Sequence, residues 1–343
     1  MEVPAVATQF LLTREQGYRT IPGMLKHAKI LISGGAGFIG SRLVERLIED
    51  NEITVLDIMH RDALTGTGLH GHPHLRVVKG DVRDMDTVRS AMDGHTHVVH
   101  LASIAGVDTV INNPLLTMEV TIKGTFNMLE AAAAAGSVTR FVDLSTSEVF
   151  GRYAFRVTEK DTTNLGAVGQ ARWTYAVSKL ATEHLAHVMY SQKQLPTVTI
   201  RPFNVFGPGQ VGEGAIHHFI VKALRGEALT VHNEGDQIRA WCYIDDFLEG
   251  LMLTLTHPDA VGHTFNIGNP RTALTVHNLA GLIARLVNPD VKVVHVDWPY
   301  TDVELRIPDI SSARDILGYR PAWDLEEGLL RTIEWYRKRV EGL

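Results

Sequence analysis

The stretch that decides the fold is Lys-Ile-Leu-Ile-Ser-Gly-Gly-Ala-Gly-Phe-Ile-Gly, residues 29–40, followed by an amphipathic run over residues 41–49. Its first five residues predict a short buried strand. Gly34 permits a tight turn, Gly37 lets the backbone approach a pyrophosphate, and Gly40 allows the next helix to pack closely on the strand. The helix N-terminus adds amide donors and the positive end of its dipole. This strand, glycine-rich turn and helix predict a dinucleotide-binding site.

The next predicted strand ends in an acidic side chain. Residues 52–57, Glu-Ile-Thr-Val-Leu-Asp, form an apolar run that ends at Asp57, 17 residues after Gly40. An acid in this place accepts hydrogen bonds from both ribose hydroxyls and repels a 2′-phosphate. We therefore predict NAD rather than NADP as the cofactor. A simple turn aspartate is the alternative interpretation, and Arg61 nearby keeps NADP open.

Strands and helices alternate along the first part of the chain. Further strands are predicted at residues 75–79, 97–101, 140–144 and 197–201, and a long helix at residues 114–135. This alternation predicts an α/β fold of the Rossmann type, a doubly wound parallel sheet with helices on both faces. Ligands of such sheets bind outside the carboxyl ends of the strands, so the motifs should converge on one crevice.

Three segments are predicted along the chain. Residues 1–26 form an N-terminal extension, in which residues 10–17 are predicted to make a short helix. Residues 27–202 form the NAD-binding Rossmann domain. After Pro202 the pattern loosens into a Gly/Pro-rich loop and shorter elements. Residues 203–343 are therefore predicted to be mainly a smaller C-terminal substrate-binding lobe, with some elements that return to the first domain.

Two short segments carry candidate catalytic groups. Tyr175 and Lys179 lie four residues apart on a predicted helix and share one face, so an ammonium can lie near a phenol. A nearby positive charge lowers the pKa of a tyrosine toward that of a usable base. Thr146, Ser147 and Glu148 follow a predicted strand and add hydroxyl and carboxylate groups. The tyrosine–lysine spacing alone is also typical of a solvated helix edge, but beside a dinucleotide site it favours oxidation of an alcohol.

Composition excludes several other classes. The net charge is −6 and no basic block is present, so we expect neither a nucleic acid nor a membrane as partner. The sequence has no apolar run of about 18 residues and a single cysteine, Cys242, which fits a cytoplasmic enzyme and a small core residue. His70, His72 and His74 cluster in a Gly/Pro-rich connection without an acid or cysteine, so no metal site is expected.

The motifs resemble those of the extended short-chain dehydrogenases/reductases, the NAD-dependent epimerase/dehydratase family, over residues 27–340. Within it the sequence is most similar to UDP-glucuronate decarboxylases such as the UDP-xylose synthases. The matching segments are residues 34–40 (Gly-Gly-Ala-Gly-Phe-Ile-Gly), 100–103 (His-Leu-Ala-Ser), 145–151 (Ser-Thr-Ser-Glu-Val-Phe-Gly), 171–179 (Ala-Arg-Trp-Thr-Tyr-Ala-Val-Ser-Lys), 201–208 (Arg-Pro-Phe-Asn-Val-Phe-Gly-Pro), 265–270 (Phe-Asn-Ile-Gly-Asn-Pro) and 302–308 (Asp-Val-Glu-Leu-Arg-Ile-Pro). The Thr-Ser-Glu triplet and the last segment are the specific ones, since sugar 4,6-dehydratases usually have Thr-Asp-Glu and simple C4 epimerases a serine-rich triplet.

The resemblance implies an NAD-dependent decarboxylation of a nucleotide-linked glucuronic acid through a 4-keto intermediate, and it favours a UDP-linked over a TDP-linked sugar. The implied catalytic residues are Thr146, Ser147, Glu148, Tyr175, Lys179 and Arg306. The implied NAD-binding residues are Gly34, Gly37, Phe38, Ile39, Gly40, Asp57, Ile58, Arg61, Asp81, Val82, Leu101, Ala102, Ser103, Thr121, Tyr175, Lys179 and Val205. The implied substrate-binding residues are Asn204, Arg239, Arg271, Tyr300 and Arg306. The alternative for Arg306 is a surface ion pair with Glu304 or Asp309.

The sequence departs from the family pattern at three places. Val110 replaces a tyrosine near the uronate carboxylate, Thr121 replaces an asparagine in the long helix, and residues 212–216 lack an arginine near the nucleobase, a gap that His217 and His218 could partly fill. A C4 epimerase therefore stays open as a second function, and a non-catalytic NAD-binding regulator as a third. The resemblance also implies a homodimer through the helices at residues 114–135 and 175–190.

Overall fold

The computed structural model describes residues 25–339 of the chain, so the helix predicted over residues 10–17 lies outside the described residues. Strands and helices alternate as predicted. The strands between residues 25 and 339 are β1 (Lys29–Ser33), β2 (Glu52–Asp57), β3 (Leu75–Lys79), β4 (His97–His100), β5 (Arg140–Leu144), β6 (Tyr153–Val157), β7 (Thr197–Pro202), β8 (Val205–Phe206), β9 (Leu229–His232), β10 (Ile238–Ala240), β11 (Cys242–Tyr243), β12 (Thr264–Ile267), β13 (Ala273–Thr275), β14 (Val293–Val296) and β15 (Leu305–Pro308). The α-helices of the same part are α1 (Phe38–Leu47), α2 (Met85–Met92), α3 (Val107–Asn112), α4 (Pro114–Met118), α5 (Gly124–Ala135), α6 (Thr174–Lys193), α7 (Ala215–Leu224), α8 (Ile244–Thr256), α9 (Val276–Val287), α10 (Ser311–Leu317) and α11 (Leu325–Arg337).

Seven strands form one parallel sheet in the order β12-β7-β5-β4-β1-β2-β3. The central strand β1 is a continuous apolar run because both of its faces are covered: Ile30, Leu31 and Ile32 are fully buried. The chain builds outward from β1 through β2 and β3, then returns to the other side of β1 with β4. The predicted doubly wound sheet is confirmed, and its switch point lies between β1 and β4, where such folds bind ligands.

Helices cover both faces of this sheet. Apolar side chains of α1 and α8 pack in the larger core cluster on one face, and those of α2, α5 and α6 pack in the cluster on the other. Helix α1 begins at Phe38, three residues before the predicted start, because extended Gly37 already caps it. In the described part of the chain, no helix is long and apolar enough to cross a membrane.

The two halves of the chain exchange strands. Strand β12, from the second half, pairs with β7 at the edge of the main sheet. Strand β6, from the first half, pairs with β15 in a smaller sheet of order β13-β10-β15-β6. Each half of the chain therefore supplies a strand that completes a sheet of the other half. The sequence did not predict the smaller sheet, whose strands have three to five residues each.

The long helix predicted over residues 114–135 is interrupted. It consists of α4, a π-helical turn over Glu119–Lys123, and α5. A π turn shifts the side chains that follow it around the helix axis, a change that a regular apolar spacing does not report. Large apolar side chains remain exposed on these helices and on α6: Leu115, Leu116, Ile122, Phe126, Val177 and Val188.

Candidate active site

The glycine-rich turn after β1 has no room for side chains at two positions. Gly34 has φ +72°, and a Cβ there would lie 2.6 Å from the backbone nitrogen of Ala102. A Cβ on Gly40 would lie 2.5 Å from the carbonyl oxygen of Gly34. The predicted tight turn and close helix packing are therefore confirmed. Gly37 caps α1 in an extended conformation, the first amides of a helix have no partner within it, and the first two residues of α1, Phe38 and Ile39, line a cavity.

Asp57 ends β2 beside this turn. Its Oδ2 accepts a hydrogen bond from the Ala36 amide at 3.0 Å, and its Oδ1 accepts one from the Met59 amide at 2.8 Å. Partial burial raises the pKa of this carboxyl group above its usual range. Each carboxylate oxygen keeps a further lone pair, so ribose hydroxyls can still be accepted. The neighbouring residue Ile58 is 54% exposed, which leaves an apolar surface on which the adenine ring of a dinucleotide can pack.

Arg61 lies in a contact between loops and not beside Asp57, where a cofactor residue was expected. Its guanidinium donates to the carbonyl of Ala105 at 2.9 Å and to the hydroxyl of Thr109 at 3.0 Å, and lies 3.6 Å from the Glu213 carboxylate. Glu213 also accepts the backbone amides of Asp108 and Thr109, at 2.9 and 3.0 Å. The structure thus places Arg61 in a contact between loops, whereas the sequence placed it on the cofactor, because acceptors from distant segments converge on its guanidinium. Sequence reasoning missed Glu213.

Several other predicted cofactor residues follow the carboxyl ends of β3 and β4. Asp81 binds the Arg83 guanidinium at 2.7 Å, and buried Val82 packs against Gly124. The hydroxyls of Ser103 and Thr121 lie 2.9 Å apart, so Thr121 makes the polar contact on this helix. Leu101 and Ala102 follow β4 directly beside Gly34, and Phe38, Ile39 and Val205 line a cavity that is described next.

Tyr175 and Thr146 face the cavity that Phe38, Ile39 and Val205 line, which has a volume of about 560 Å³. A hydrogen bond from Thr146 favours the phenolate of Tyr175, but burial and the negative charge of Glu148 together raise its pKa well above 10. Lys179 is 1% exposed, and its ammonium donates to the carbonyl of Leu144 at 2.5 Å. The prediction that Lys179 lowers the pKa of Tyr175 is therefore not seen here, because the ammonium lies on a backbone carbonyl.

A cluster of arginines and carboxylates lies beside Tyr175. Glu148 Oε2 accepts from Arg172 Nη1 at 2.6 Å, and Glu148 Oε1 accepts from Arg172 Nη2 at 3.2 Å. Arg306 Nη1 lies 3.6 Å from Glu148 Oε1. Asp302 contacts Arg239 at 2.8 Å and Arg172 at 3.6 Å. Three guanidiniums thus face two carboxylates, which leaves one positive charge in this part of the cavity.

Burial and the arginines set the protonation of this cluster. Burial alone would raise the pKa of Glu148, but Arg172 and Arg306 lower it to about 2. Burial lowers the pKa of Arg306 to about 10, so its guanidinium stays charged at neutral pH. Arg306 is 2% exposed, and the alternative of a surface ion pair is wrong: Glu304 pairs with Arg152 instead.

Arg172 and Asp302 were not predicted as site residues. Arg172 lies in a short 3-10 helix, Ala171–Trp173, that leads into α6 one turn before Tyr175. That spacing was the available signal, since residues three apart on a helix share a face. Ser147, which was predicted as catalytic, is buried at the start of the turn Ser147–Phe150 and lines the cavity.

The far end of the cavity suits a larger polar ligand. Asn204 adopts a left-handed φ of +40° and donates to the carbonyl of Ala240 at 2.8 Å. The Lys222 ammonium donates to the Thr230 hydroxyl at 2.8 Å, and the rings of His232 and Trp298 stack at 4.1 Å. These residues, together with His218, line the cavity wall.

Two predicted substrate residues lie away from this wall. The Arg271 guanidinium is turned to the carbonyl of Pro321, at 2.7 Å, and Arg271 lies outside the cavity lining. Tyr300 is 47% exposed and contacts the edge of Trp298 at the rim. His217, which was expected beside a nucleotide, hydrogen-bonds the Tyr336 hydroxyl at 2.6 Å instead.

Between residues 25 and 339, no group of three potential metal ligands is found, and Cys242 is fully buried.

The family model described as "NAD dependent epimerase/dehydratase family" matches residues 30–268. The chain belongs to this family. Its cofactor is therefore NAD, for which the glycine-rich turn, the open amides of α1 and Asp57 form a fitting cradle. Members of the epimerase/dehydratase family are enzymes of the extended short-chain dehydrogenase/reductase type, as the sequence motifs predicted.

Three known proteins of related sequence or structure show what this chain is similar to. UDP-glucuronic acid decarboxylase 6 of Arabidopsis thaliana is 36% identical over 322 residues, covering 91% of this chain and 90% of the relative. A UDP-N-acetyl-alpha-D-glucosaminuronate decarboxylase of Bacillus cytotoxicus is 30% identical, covering 90% of this chain and 98% of the relative. The crystal structure of a UDP-glucuronic acid 4-epimerase from Bacillus cereus, in complex with UDP-glucuronic acid and NAD, superimposes with a TM-score of 0.84 at 26% identity, covering 90% of this chain and 99% of that one.

Proposed function

We propose that this enzyme decarboxylates a nucleotide-linked glucuronic acid, UDP-glucuronate first of all, to UDP-xylose, the UDP-4-ketopentose, or both. The observation that carries the proposal is the excess positive charge of the buried cluster around Glu148, beside the phenol of Tyr175. The names of the relatives support the same reaction class.

The charge of the cluster matches a uronate. A C6 carboxylate brings one negative charge next to C5, and guanidinium binds carboxylate with charge-assisted hydrogen bonds. The partly desolvated site strengthens this attraction relative to water. A neutral hexose would leave the excess charge unbalanced, which is costly for a buried group. The site therefore favours an acidic sugar over a neutral one.

The residues of the chain divide the reaction into two parts. NAD, when bound, supplies the acceptor for the hydride that leaves C4. Tyr175 takes the proton of the C4 hydroxyl, and Thr146 hydrogen-bonds beside it. The ketone formed at C4 is β to the carboxylate, so the C5–C6 bond can break with its electron pair delocalised into an enolate. Arg306 and Glu148 flank C5, where the guanidinium balances the enolate charge and a water molecule donates the proton that C5 takes up after CO₂ leaves. Where UDP-xylose is the product, the hydride returns to C4 and Tyr175 gives its proton back to the C4 oxygen.

One observation favours C4 epimerisation as a second candidate. Glu148 is held by two arginines and its pKa is lowered to about 2, so it is a poor proton donor at neutral pH. If Glu148 only completes an ion-pair network, the 4-keto intermediate can be reduced on its other face without loss of CO₂. The UDP-glucuronic acid 4-epimerase of Bacillus cereus, whose structure resembles this chain, was solved with UDP-glucuronic acid and NAD.

Incubation of the enzyme with UDP-glucuronate and NAD⁺, followed by mass spectrometry, separates these functions. Loss of 44 mass units (CO₂) supports the proposed decarboxylase. An isomeric product of unchanged mass identifies an epimerase. If neither UDP-glucuronate nor UDP-glucose reacts, the result supports a non-catalytic NAD-binding protein. The Tyr175→Phe variant, which lacks the base, serves as the control for reaction at the site described.

A further inference from the structure

We propose that Arg172 is a positioning residue: it holds the Glu148 carboxylate with both terminal nitrogens and so keeps the charge of Arg306 available for the substrate carboxylate. The reaction itself is the one proposed above, on which this inference rests. Arg172 acts through Glu148 and not by contact with the reacting atoms.

The contact between Arg172 and Glu148 has the geometry of a bidentate pair. Arg172 Nη1 and Nη2 meet the two carboxylate oxygens at 2.6 and 3.2 Å, and the Arg172 side chain is 6% exposed. Such a fork fixes the plane of the carboxylate as well as its distance. Arg306, by contrast, approaches one oxygen at 3.6 Å through one nitrogen. Arg172 is therefore the stronger partner of Glu148.

Arg172 is itself anchored from both halves of the chain. Its guanidinium lies 5.4 Å from the ring centre of Trp173 and 3.6 Å from the Asp302 carboxylate. Because it precedes Tyr175 by three residues, its anchors also fix the first turn of α6. The pair Arg172–Glu148 thus links the carboxylate beside C5 to the helix that carries the base for C4.

Arg306 keeps unused donors as a result. Its Nη2 donates to the carbonyl of Gly151 at 3.2 Å, while its buried Nε has no hydrogen-bond partner among the described residues. An unpaired buried donor is costly unless a ligand satisfies it. If Arg172 were absent, Glu148 would draw on Arg306 and compete with the substrate carboxylate for it.

Loss of Arg172 should change the titration of Glu148. The positive charge of Arg172 is the largest influence that lowers the Glu148 pKa against the effect of burial. Without it, burial raises this pKa toward neutral pH, and Glu148 becomes partly protonated in the working range. In the wild type, Glu148 stays ionised above about pH 4, so its titration should not change turnover there. An Arg172 variant should lose turnover as the pH falls from 7 to 5, because Glu148 takes up a proton.

The first experiment measures CO₂ release from UDP-glucuronate against pH for the wild type, Arg172→Met and Arg172→Lys. Arg285→Met is the control, since Arg285 is exposed on α9 and lies outside the cavity. We expect Arg172→Met to raise KM by about tenfold or more and to gain the acidic fall in turnover, with partial recovery in Arg172→Lys because lysine restores charge but not the fork. Unchanged KM and pH profile in Arg172→Met would overturn the proposal.

A double-variant comparison tests whether Arg172 acts through Glu148. Glu148→Gln removes the charge that Arg172 holds, so Arg172→Met should cost much less in this background than in the wild type. Equal costs in both backgrounds would show that Arg172 contacts the substrate directly. Bound NAD, measured for each variant, confirms that the proteins are folded.

A measurement without substrate separates this inference from the proposed function. In protein labelled with ¹³C at the glutamate carboxyl carbons, the Glu148 signal is identified by its loss in Glu148→Gln. It should not titrate between about pH 4 and pH 8 in the wild type but should titrate in Arg172→Met. This result stands even if UDP-glucuronate is not decarboxylated, and an identical titration in both proteins refutes the role of Arg172.

Discussion

The ammonium of Lys179 lies on the carbonyl of Leu144, at 2.5 Å, and so joins α6 to the end of β5. Leu144 is the last residue of β5 and precedes the Ser-Thr-Ser-Glu segment. The lysine that the sequence predicted as a partner of the phenol therefore also fixes the backbone that presents Thr146 and Glu148. A substitution at Lys179 should disturb both parts of the site.

Tyr175→Phe and Lys179→Met should both abolish most turnover. We expect CO₂ release to fall by about 10²- to 10⁴-fold in each while NAD stays bound, in Tyr175→Phe because the general base is lost and in Lys179→Met because the backbone that presents Thr146 and Glu148 loses its anchor. Lys193→Met, at the exposed end of α6, is the control and should retain activity. Activity of Tyr175→Phe within a few-fold of the wild type would contradict the assigned base.

Turnover should also rise with pH in the wild type. Burial and the charge of Glu148 raise the pKa of Tyr175, so only a small fraction of phenolate exists at neutral pH. As long as the pH stays below the pKa, the phenolate fraction grows about tenfold for each unit by which the pH rises. Absorbance of NADH during a single turnover, recorded from roughly pH 6 to pH 9, should show a faster first step at higher pH. A rate that falls over this range would refute the proton transfer to Tyr175.

Glu148→Gln and Arg306→Ala test the decarboxylation step itself. Both variants should bind NAD and UDP-glucuronate but release CO₂ about 10²-fold or more slowly, because an oriented charge beside C5 is lost. The matched controls are Glu304→Gln and Arg152→Ala, which break a surface ion pair near the same strand. Near-normal CO₂ release by both Glu148→Gln and Arg306→Ala would contradict the decarboxylation roles assigned to these residues.

Asp57→Asn should weaken NAD binding and reduce the discrimination against NADP. The lost charged hydrogen bonds correspond to about 1.5–3 kcal/mol, roughly ten- to a hundredfold in affinity. Calorimetric titration of both cofactors measures the change. Asp62→Asn is the control, because Asp62 accepts from the exposed Thr65 in the next turn. Equal affinities of the wild type for NAD and NADP would reject the role of Asp57.

Gly40→Ala should destabilise the nucleotide-binding turn. The added methyl group would lie 2.5 Å from the Gly34 carbonyl oxygen, so backbone must shift at a cost of about 1–3 kcal/mol. Gly281→Ala in α9 is the control: its Cβ meets open space, and alanine should raise stability by about 0.5–1 kcal/mol. Urea unfolding of both variants measures these changes, and a stable Gly40→Ala would contradict the packing argument.

We predict a homodimer formed by the exposed apolar face of α4, α5 and α6. Phe126, at 46% exposure, lies on this face, and burial of such side chains stabilises helix packing between subunits. Light scattering should show a dimer at micromolar concentration and a monomer for Phe126→Glu. Leu330→Glu changes an equally exposed side chain on α11 and should leave the dimer intact. A monomeric wild type would contradict the prediction.

Local patterns in the sequence were enough for the nucleotide-binding half. The predicted bounds of β1, β2, β3 and β5 agree with the structure because each strand is a short apolar run between clear turn signals. The roles of Gly34 and Gly40 followed from the spacing of the turn. The place of Glu148 near Tyr175 was predicted from the strand end and the helix spacing, whereas Arg306 was predicted from the resemblance alone.

Contacts between distant segments could not be predicted. Arg172 and Asp302 are 130 residues apart, and Glu213 reaches Thr109 across 104 residues, so no local pattern reports these pairs. Arg271 was predicted in the site because arginine suits phosphate, but Pro321 holds its guanidinium elsewhere. The edge strand β6 escaped detection because it is short and exposes Tyr153 and Phe155.

The exchange of strands between the two halves sets the order in which the chain can fold during synthesis. Strand β7 stays an open edge until β12 has left the ribosome, and β6 has no neighbour until β15 follows, about 150 residues later. A fragment that ends at Pro202 would therefore carry one open sheet edge at β7 and one unpaired strand, β6, and both favour association with other chains. Chimaeras that swap only one half with a relative must replace β6 and β12 along with the sheets that they complete.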